Sequence, residues 1–556
     1  MHWLREHWID AAWFILVAAV SSIWVATASQ VVGPTFDEPF YMENGLHAWR
    51  TGSVKPLMTK GVMTLPLDVQ TLPVYLWERD RGEQFEAYSQ LHTILPVARL
   101  ANLPFWWLLL LYGMRWGHLL GGPWAGRLAC LLFAVDPNLL GHAALATTDI
   151  ALCGTVLLAT YHFNTNREST WPRRVLIPGL LYGMALTAKA SAMPYVPLLA
   201  AVFGMHHLWR TDRLSGLFTG TVWQRIGAFR RATSRLRWDL VYVMLLGFVY
   251  VFAYTGCDWT TEVTFVQWAA QLPDGSLKSV MLPFAENLRI FPNAGEGLIQ
   301  QIKHNFRGHT GSFLLGTYHR GSVWYYFPVA LTVKLADPTL LLFVVVMLTR
   351  PRMFFRSPAG WAVVVLLLFS FNTKVQIGVR LVFPMMCFLL IGMAVAVCAS
   401  ARGRSILAIL AGFVIVGTAW ESMESWPDGV RFTNQLHGGP SAGWQHLADS
   451  NYDWGQGVPE LRTWWATHGE PPISVWYYGG DTAVFLPPFR ILHLHLLPDL
   501  SPHGVKTAVG PGYLAVSVGL LTACPNRKPD VLEMVAWLNS LKPVTRTPTF
   551  VVFKLE

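Results

Sequence analysis

The stretch Ala11–Pro39, AAWFILVAAVSSIWVATASQVVGPTFDEP, decides how the rest of the chain is read. No charged residue occurs from Ala11 to Phe36, and a helix of about 20 apolar residues is enough to span the hydrocarbon core of a bilayer. Asp37 and Glu38 follow at once. Carboxylates at the rim of a membrane helix lose solvation, and such positions are kept where they do chemistry. Ala26-Thr27-Ala28 has the small residues of a signal-peptidase site. The apolar run before it exceeds the roughly 7–15 residues of a secretory leader, so the segment reads as an uncleaved first span.

The composition agrees. Of 556 residues, 53% are hydrophobic and 13% are charged, with a mean hydropathy of +0.36. A soluble domain carries about 25% charged residues, so the chain reads as a polytopic membrane protein. Its formal charge of +9 sits mostly in short segments between apolar runs, which points to membrane orientation and not to nucleic acid. The six cysteines show neither metal-ligand spacing nor a disulfide framework.

Apolar segments predict eleven crossings, near 11–32, 103–120, 124–141, 146–163, 175–190, 192–208, 239–256, 330–349, 358–372, 379–400 and 405–421. Arginines cluster at 115 and 127, at 167–174, from 210 to 237, at 350–356 and at 402–404. With an inside amino terminus, every cluster falls on the cytoplasmic side. Asp37-Glu38, the loop 257–322 and everything after 421 then lie outside.

Residues 1–421 are therefore expected to form a transmembrane domain with outer loops 37–102 and 257–322, and residues 422–556 an extracytoplasmic domain. In the first loop, Met42, Leu46 and Trp49 share a helical face, as do Phe85, Tyr88, His92 and Leu95, so both segments read as helices lying in the membrane interface. After 421, β-rich runs at 473–478, 513–518 and 549–553 alternate with helical stretches at 458–465 and 531–541. That alternation predicts a small α/β domain.

Four outer-side features are candidates for chemistry. The first is Asp37-Glu38. The second runs from Asp136 through His142 to Asp149; Asp136 is also suited to capping a turn before Pro137, and Asp149 to capping a helix with Thr147 or Thr148. The third is a set of cations at the outer ends of spans: Lys189, Lys334, Lys374 and Arg380. Lys189 and Arg380 are flanked by apolar residues, and a fixed phosphate is a natural partner for such groups. The fourth is Trp324-Tyr325-Tyr326-Phe327, which follows His319 and Arg320; it suits either an interfacial aromatic belt or contact with sugar or lipid.

Acids facing cations at an outer interface suit one reaction well. A lipid-linked sugar phosphate places its phosphate among the cations and its sugar beside the carboxylates. A carboxylate takes the proton of an acceptor hydroxyl, which attacks the anomeric carbon as the lipid phosphate leaves. Asp37 is the expected base, with Glu38 orienting base or acceptor.

The same residues carry a resemblance. Thr35-Phe36-Asp37-Glu38-Pro39, Pro137–His142 through Asp149, Leu186–Lys189, Tyr325–Ala330 with Lys334, and Asp449–Gln456 are similar, in this order, to the GT-C membrane glycosyltransferases. The likeness is to the branch of protein O-mannosyltransferase-like and aminoarabinose transferase-like enzymes. It implies a GT-C-like helical domain in a bacterial inner or plasma membrane and a polyprenyl-phosphate sugar donor, with mannose as the first guess. The acceptor is a hydroxyl of a protein, a glycolipid or a polysaccharide. It also implies catalysis by Asp37, Glu38 and Asp149, phosphate binding by Lys189, Arg380 and Lys334, and substrate contacts from His142, Tyr325, Tyr326, His319 and Arg320. No cofactor is called for by any His, Asp or Glu cluster, although some members of the family bind a divalent cation. The alternative reading is a transporter or lipid-handling protein whose outer acids bind substrate or protons; it expects ionisable groups at mid-membrane and repeated halves.

Overall fold

The computed structural model describes residues 2–215, 220–289, 293–308, 311–399, 404–523 and 528–555. The protein is mainly helical, with a small sheet near its carboxyl end. Among the described residues, five helical segments are long and apolar enough to cross a membrane: Trp8–Val31, Leu91–Gly121, Ser234–Thr255, Val379–Cys398 and Ile406–Ser425. A sixth counts if Tyr326–Lys334 and Asp337–Thr349, bent by 118° at their junction, form one broken span.

Several of the eleven expected crossings are therefore shorter or interrupted, and proline is a recurrent reason. The segment 124–141 divides into Pro123–Val135 and Pro137–Ala143, because Pro137 cannot continue the first helix and Asp136 starts a new one. The segment at 358–372 yields only Pro358–Ser370, about 20 Å at 1.5 Å per residue. Asp149–Thr165 is apolar all round and buried along most of its length, as befits a helix at the centre of a bundle.

The segment 37–102 folds into Glu38–Thr51, Leu65–Arg81 and Leu91–Leu100, the last continuing into the apolar segment that ends at Gly121, with a core built from Met42, Leu46, Leu67, Val74, Leu91 and Ile94. Met42 and Leu46 are buried against the other helices of the segment, and Trp49, Tyr88 and His92 are exposed. The second helix starts at Leu91 and not near 83, so its buried face is Leu91, Ile94, Leu95 and Ala98.

A hairpin, β1 (Ser312–Leu314) and β2 (Thr317–His319), precedes the bent helix pair. The carboxyl-terminal sheet contains β3 (Ile473–Trp476), β4 (Phe489–Ile491), β5 (Tyr513–Ser517), β6 (Thr545–Arg546) and β7 (Phe550–Lys554) in the order β4-β3-β5-β7-β6. β3 runs parallel to β4 and β5, whereas β7 runs antiparallel to β5 and β6. Alternation along β5 and β7 sends Leu514, Val516, Val551 and Phe553 to one face, against Val531, Met534 and Leu538 of the helix Pro529–Ser540. Ala515, Phe550 and Val552 point to the other, against Val458, Leu461 and Trp464 of Val458–Thr467. Both faces are covered, which explains why these strands read as short continuous apolar runs.

Candidate active site

Asp37 occupies the residue before the helix Glu38–Thr51, yet its side chain makes no capping hydrogen bond. Its Oδ2 instead lies 3.4 Å from Nη1 of Arg380 and accepts from the Tyr41 hydroxyl at 3.5 Å. About a quarter of the Asp37 side chain is exposed, at 26%. Burial, and then the charge of Asp37, push the Tyr41 hydroxyl well above its ordinary range, so it remains a proton donor to the carboxylate.

Asp149 begins the helix Asp149–Thr165 and is wholly buried. Its Oδ1 accepts from Nζ of Lys189 at 2.5 Å, and its Oδ2 stands 3.6 Å from Nη1 of Arg380 and 3.8 Å from Nδ1 of His142. Lys189 is available because it sits in extended backbone between the helices Ile177–Ala188 and Ala192–Arg210. Arg380 belongs to a short turn, Val379–Val382, just ahead of Phe383–Cys398. Two carboxylates and two cations thus form one balanced cluster, with Arg380 shared between the acids. The structure brings Asp37, Asp149, Lys189, Arg380 and His142 together.

Arg380 is aimed by the segment Asp449–Gln456. Its Nε donates to Ser450 Oγ at 2.9 Å, and its guanidinium lies 4.1 Å from the ring centroid of Trp454. Ser450 Oγ in turn donates to the carbonyl of Ile377 at 2.7 Å. The approach is close enough that a Cβ on Gly378 would stand 2.3 Å from that hydroxyl. Asn451 Oδ1 accepts from the Val379 amide at 2.9 Å, and the Phe36 amide donates to the Trp454 carbonyl at 2.8 Å. This one segment therefore touches both the Arg380 turn and the strand of chain that carries Asp37. Spacing alone assigns this segment no chemistry beyond bracing by its acids. Its signal was the dense run of polar and aromatic residues, Asp449-Ser450-Asn451-Tyr452-Asp453-Trp454.

Other expected site residues are placed differently. Glu38 is no free carboxylate. It is fully buried, and Arg99 Nε and Nη2 donate to its two oxygens at 2.8 and 2.6 Å. The amides of Thr35 and Ala146 donate to it at 2.8 Å each. Burial pushes this carboxyl up, but Arg99 and these donors together hold it below its usual value. Glu38 braces the turn that presents Asp37, which agrees with orienting that carboxylate and leaves no free oxygen for an acceptor.

Lys334 is not part of the cation cluster. Its buried Nζ donates to the carbonyls of Val430, Phe432 and Asn451 at 2.8, 2.5 and 2.9 Å. All three protons are taken, which corrects its expected contact with phosphate. Asp136 caps the helix Pro137–Ala143, accepting from the amides of Asn138 and Leu139 at 3.0 Å each. Gly141 in the same helix lets the backbone of Gly429 approach, where a Cβ would meet carbon at 2.6 Å.

Tyr326 is buried, and its hydroxyl accepts from Asn451 Nδ2 at 2.9 Å. Tyr325 is half-buried and packs edge-on against Trp324 and His319. Arg320 is exposed beyond β2. A cavity of about 200 Å³ opens between the hairpin, the Tyr326 helix and the carboxyl-terminal sheet. Phe313, Tyr318, Tyr326, Gln376, Asp449 and Tyr478 are among its walls. It adjoins the charged cluster, since Asp449 precedes Ser450 and Tyr478 stacks on Phe36 at 5.3 Å. Among the described residues, no group of three or more His, Cys, Asp or Glu side chains is placed to hold a metal ion.

The chain is similar over nearly its whole length to the crystal structure of ArnT from Cupriavidus metallidurans bound to undecaprenyl phosphate. Sequence identity is 15%, coverage is 97% of each chain, and the TM-score is 0.45. It is also similar to the oligosaccharyltransferase of Archaeoglobus fulgidus in complex with zinc and sulfate, with 11% identity, 91% of this chain and 68% of that chain covered, and a TM-score of 0.42. No protein-family model and no curated protein matches the sequence.

Proposed function

We propose that the protein is an inverting glycosyltransferase that moves a sugar from a polyprenyl-phosphate carrier to an acceptor hydroxyl on the extracytoplasmic side of a membrane. The observation that carries this reading is Arg380, held between Asp37 at 3.4 Å and Asp149 at 3.6 Å, with Lys189 on the far side of Asp149. The partial exposure of Asp37 leaves it open to a reactant, whereas Asp149 is closed off by its cations.

In this mechanism the donor phosphate joins Arg380 and Lys189, and the sugar occupies the adjoining cavity. Asp37 takes the acceptor proton as the acceptor oxygen bonds to the anomeric carbon. The bond from that carbon to the phosphate oxygen breaks, and its electron pair stays with the polyprenyl phosphate. The leaving phosphate gains one negative charge as Asp37 loses one, so the total charge of the site is unchanged. Arg380 contacts both groups and is suited to follow that shift without moving far. Asp149 holds the two cations in place when no donor is bound. A single displacement inverts the anomeric centre.

The amino terminus and the arginine-rich ends are assigned to the cytoplasm and the sheet domain to the outer face, on the strength of the arginine distribution. Mannose is the first sugar to supply. The test is product analysis after giving the purified protein defined polyprenyl-phosphate sugars with protein, glycolipid and polysaccharide acceptors. A product of inverted configuration that disappears in Asp37→Asn supports the proposal. Turnover that survives Asp37→Asn, or retention of configuration, refutes it.

A further inference from the structure

At the opposite end of the helix Ala192–Arg210 from Lys189, the helix Val222–Ala232 has no buried residue, and only its last, Ala232, packs against the main core. Its start is secured by a reciprocal cap, with the Thr221 hydroxyl accepting from the Gln224 amide and the Gln224 side chain accepting from the Thr221 amide. At about 100° per residue, Val222, Trp223, Ile226 and Phe229 fall within one arc of roughly 120°. All four are open, at 67%, 82%, 45% and 41% exposure. Arg225 borders this arc on the Phe229 side, Arg230 falls within it near its Trp223 edge, and Arg231 lies on the far side of the helix.

Two further observations say what covers the arc. The first is position. Only Thr233 separates this helix from Ser234–Thr255, one of the segments able to cross a membrane. Trp209 and Trp238, exposed at 58% and 60%, stand near the adjoining ends of the two flanking helices, the kind of position tryptophans take at a membrane interface. The second is charge. From Arg213 to Trp238 there are six arginines and no acid. Arg213 and Arg235 reach Glu168 at 3.1 and 3.3 Å. Among the described residues no carboxylate lies within ion-pair distance of Arg225, Arg230, Arg231 or Arg237. An open apolar arc with Arg225 at one border and Arg230 near the other is built to insert its apolar side among acyl chains, while the two long side chains reach out to meet phosphate.

We infer that the helix Val222–Ala232 lies in the headgroup layer at the arginine-rich end of the molecule and gathers anionic phospholipid there. The juxtaposition of Trp223, Ile226 and Phe229 with Arg225 and Arg230 is the binding surface, and Arg231 on the far side adds to the local positive field. It stands independently of the reaction proposed above.

The test uses the full chain in nanodiscs of phosphatidylcholine alone or with phosphatidylglycerol added, followed by amide hydrogen exchange over 222–232. Exchange is expected to slow in the anionic discs by up to about fivefold for each arginine engaged, and the difference should shrink as salt is raised. The triple variant Arg225→Gln, Arg230→Gln, Arg231→Gln should lose the difference, with unchanged exchange elsewhere serving as the check that it is folded. As a second reading, native mass spectrometry of the wild type should retain phosphatidylglycerol over phosphatidylcholine, and the variant should not. Equal exchange in both discs at low salt, a difference that survives in the folded triple variant, or protection that requires an added soluble protein would each overturn the inference.

Discussion

Replacing Glu38 by glutamine strips the negative charge from a pair that solvent does not reach: Glu38 is 0% and Arg99 1% exposed. The glutamine oxygen accepts from only part of the donor set that the carboxylate serves, which comprises two Arg99 nitrogens, the Thr35 amide and hydroxyl, and the Ala146 amide. The new NH2 then faces donors. Removing one partner of such a buried pair costs about 3–5 kcal/mol, because the other charge remains without compensation.

The neighbouring change, Asp37→Asn, should behave oppositely. Asp37 is a quarter exposed and meets Arg380 at 3.4 Å, so its loss costs no more than about 1 kcal/mol of stability. Loss of a general base slows transfer by about 10²–10⁴-fold, equivalent to about 3–5 kcal/mol of activation at 1.36 kcal/mol per tenfold. The assay pairs unfolding of the purified protein with sugar transfer per folded molecule. Glu38→Gln should unfold more readily yet transfer within a few-fold of wild type while folded. Asp37→Asn should unfold like wild type and be inactive. Adding Arg99→Met to Glu38→Gln should restore only part of the stability, since Arg99 also serves the carbonyls of Ser29, Val32 and Gly33. A fully stable but inactive Glu38→Gln would refute the reasoning, because it would place Glu38 in the chemistry.

Three further outcomes are expected. Trp454→Leu removes the ring beneath Arg380, a desolvated cation–π contact worth about 2 kcal/mol; the donor KM should rise by about tenfold or more, Trp454→Phe should recover most of it, and an effect confined to the acceptor KM would move Trp454 to another role. Lys334→Met should lower thermal stability by releasing three buried carbonyls, while donor affinity measured by direct binding stays within about twofold; a large loss of affinity in a folded variant would return Lys334 to the phosphate site. Asp453 lies in the carboxyl-terminal region, where burial, partly opposed by bonds from the Gly519 and Gly455 amides, pushes its carboxyl from 3.8 up to about 7. A raised folded-state value means stability that is fully present below about pH 4 and is lost as pH climbs to about 7, by at most about 4 kcal/mol. Melting temperature should therefore fall over that window in wild type and fall less in Asp453→Asn; parallel profiles would rule out the buried carboxyl as the cause.

Some of the cluster is legible one residue at a time. Asp37, Asp149, Lys189 and Arg380 are each an ion at the end of an apolar run, and a charge in that setting must find a partner whatever the rest of the fold does. Lys334 satisfies the same rule, yet its partners are three carbonyls and no other ion is needed. A local pattern cannot tell these cases apart, because the energy of a buried ammonium depends on which acceptors arrive from elsewhere in the chain. Adjacency misled in the same way at Asp37-Glu38. The two side chains leave the helix start in different directions, one toward Arg380 and the other toward Arg99.

Apolar runs, arginine placement and the β-rich segments near the carboxyl end follow from sequence alone, since burial and charge act on each segment locally and set whether it belongs in lipid, at an interface or in a sheet. Helix lengths do not follow as directly, because prolines such as Pro137 and Pro338 divide runs whose hydropathy is continuous. Which ions meet was decided only by tertiary structure. Ser450 and Trp454 reach Arg380 from about seventy positions further along the chain, and Arg99 reaches Glu38 across a separation of 61. Hydrogen bonds and ion pairs act over a few ångströms of space, and only the packed chain brings such distant residues within that range.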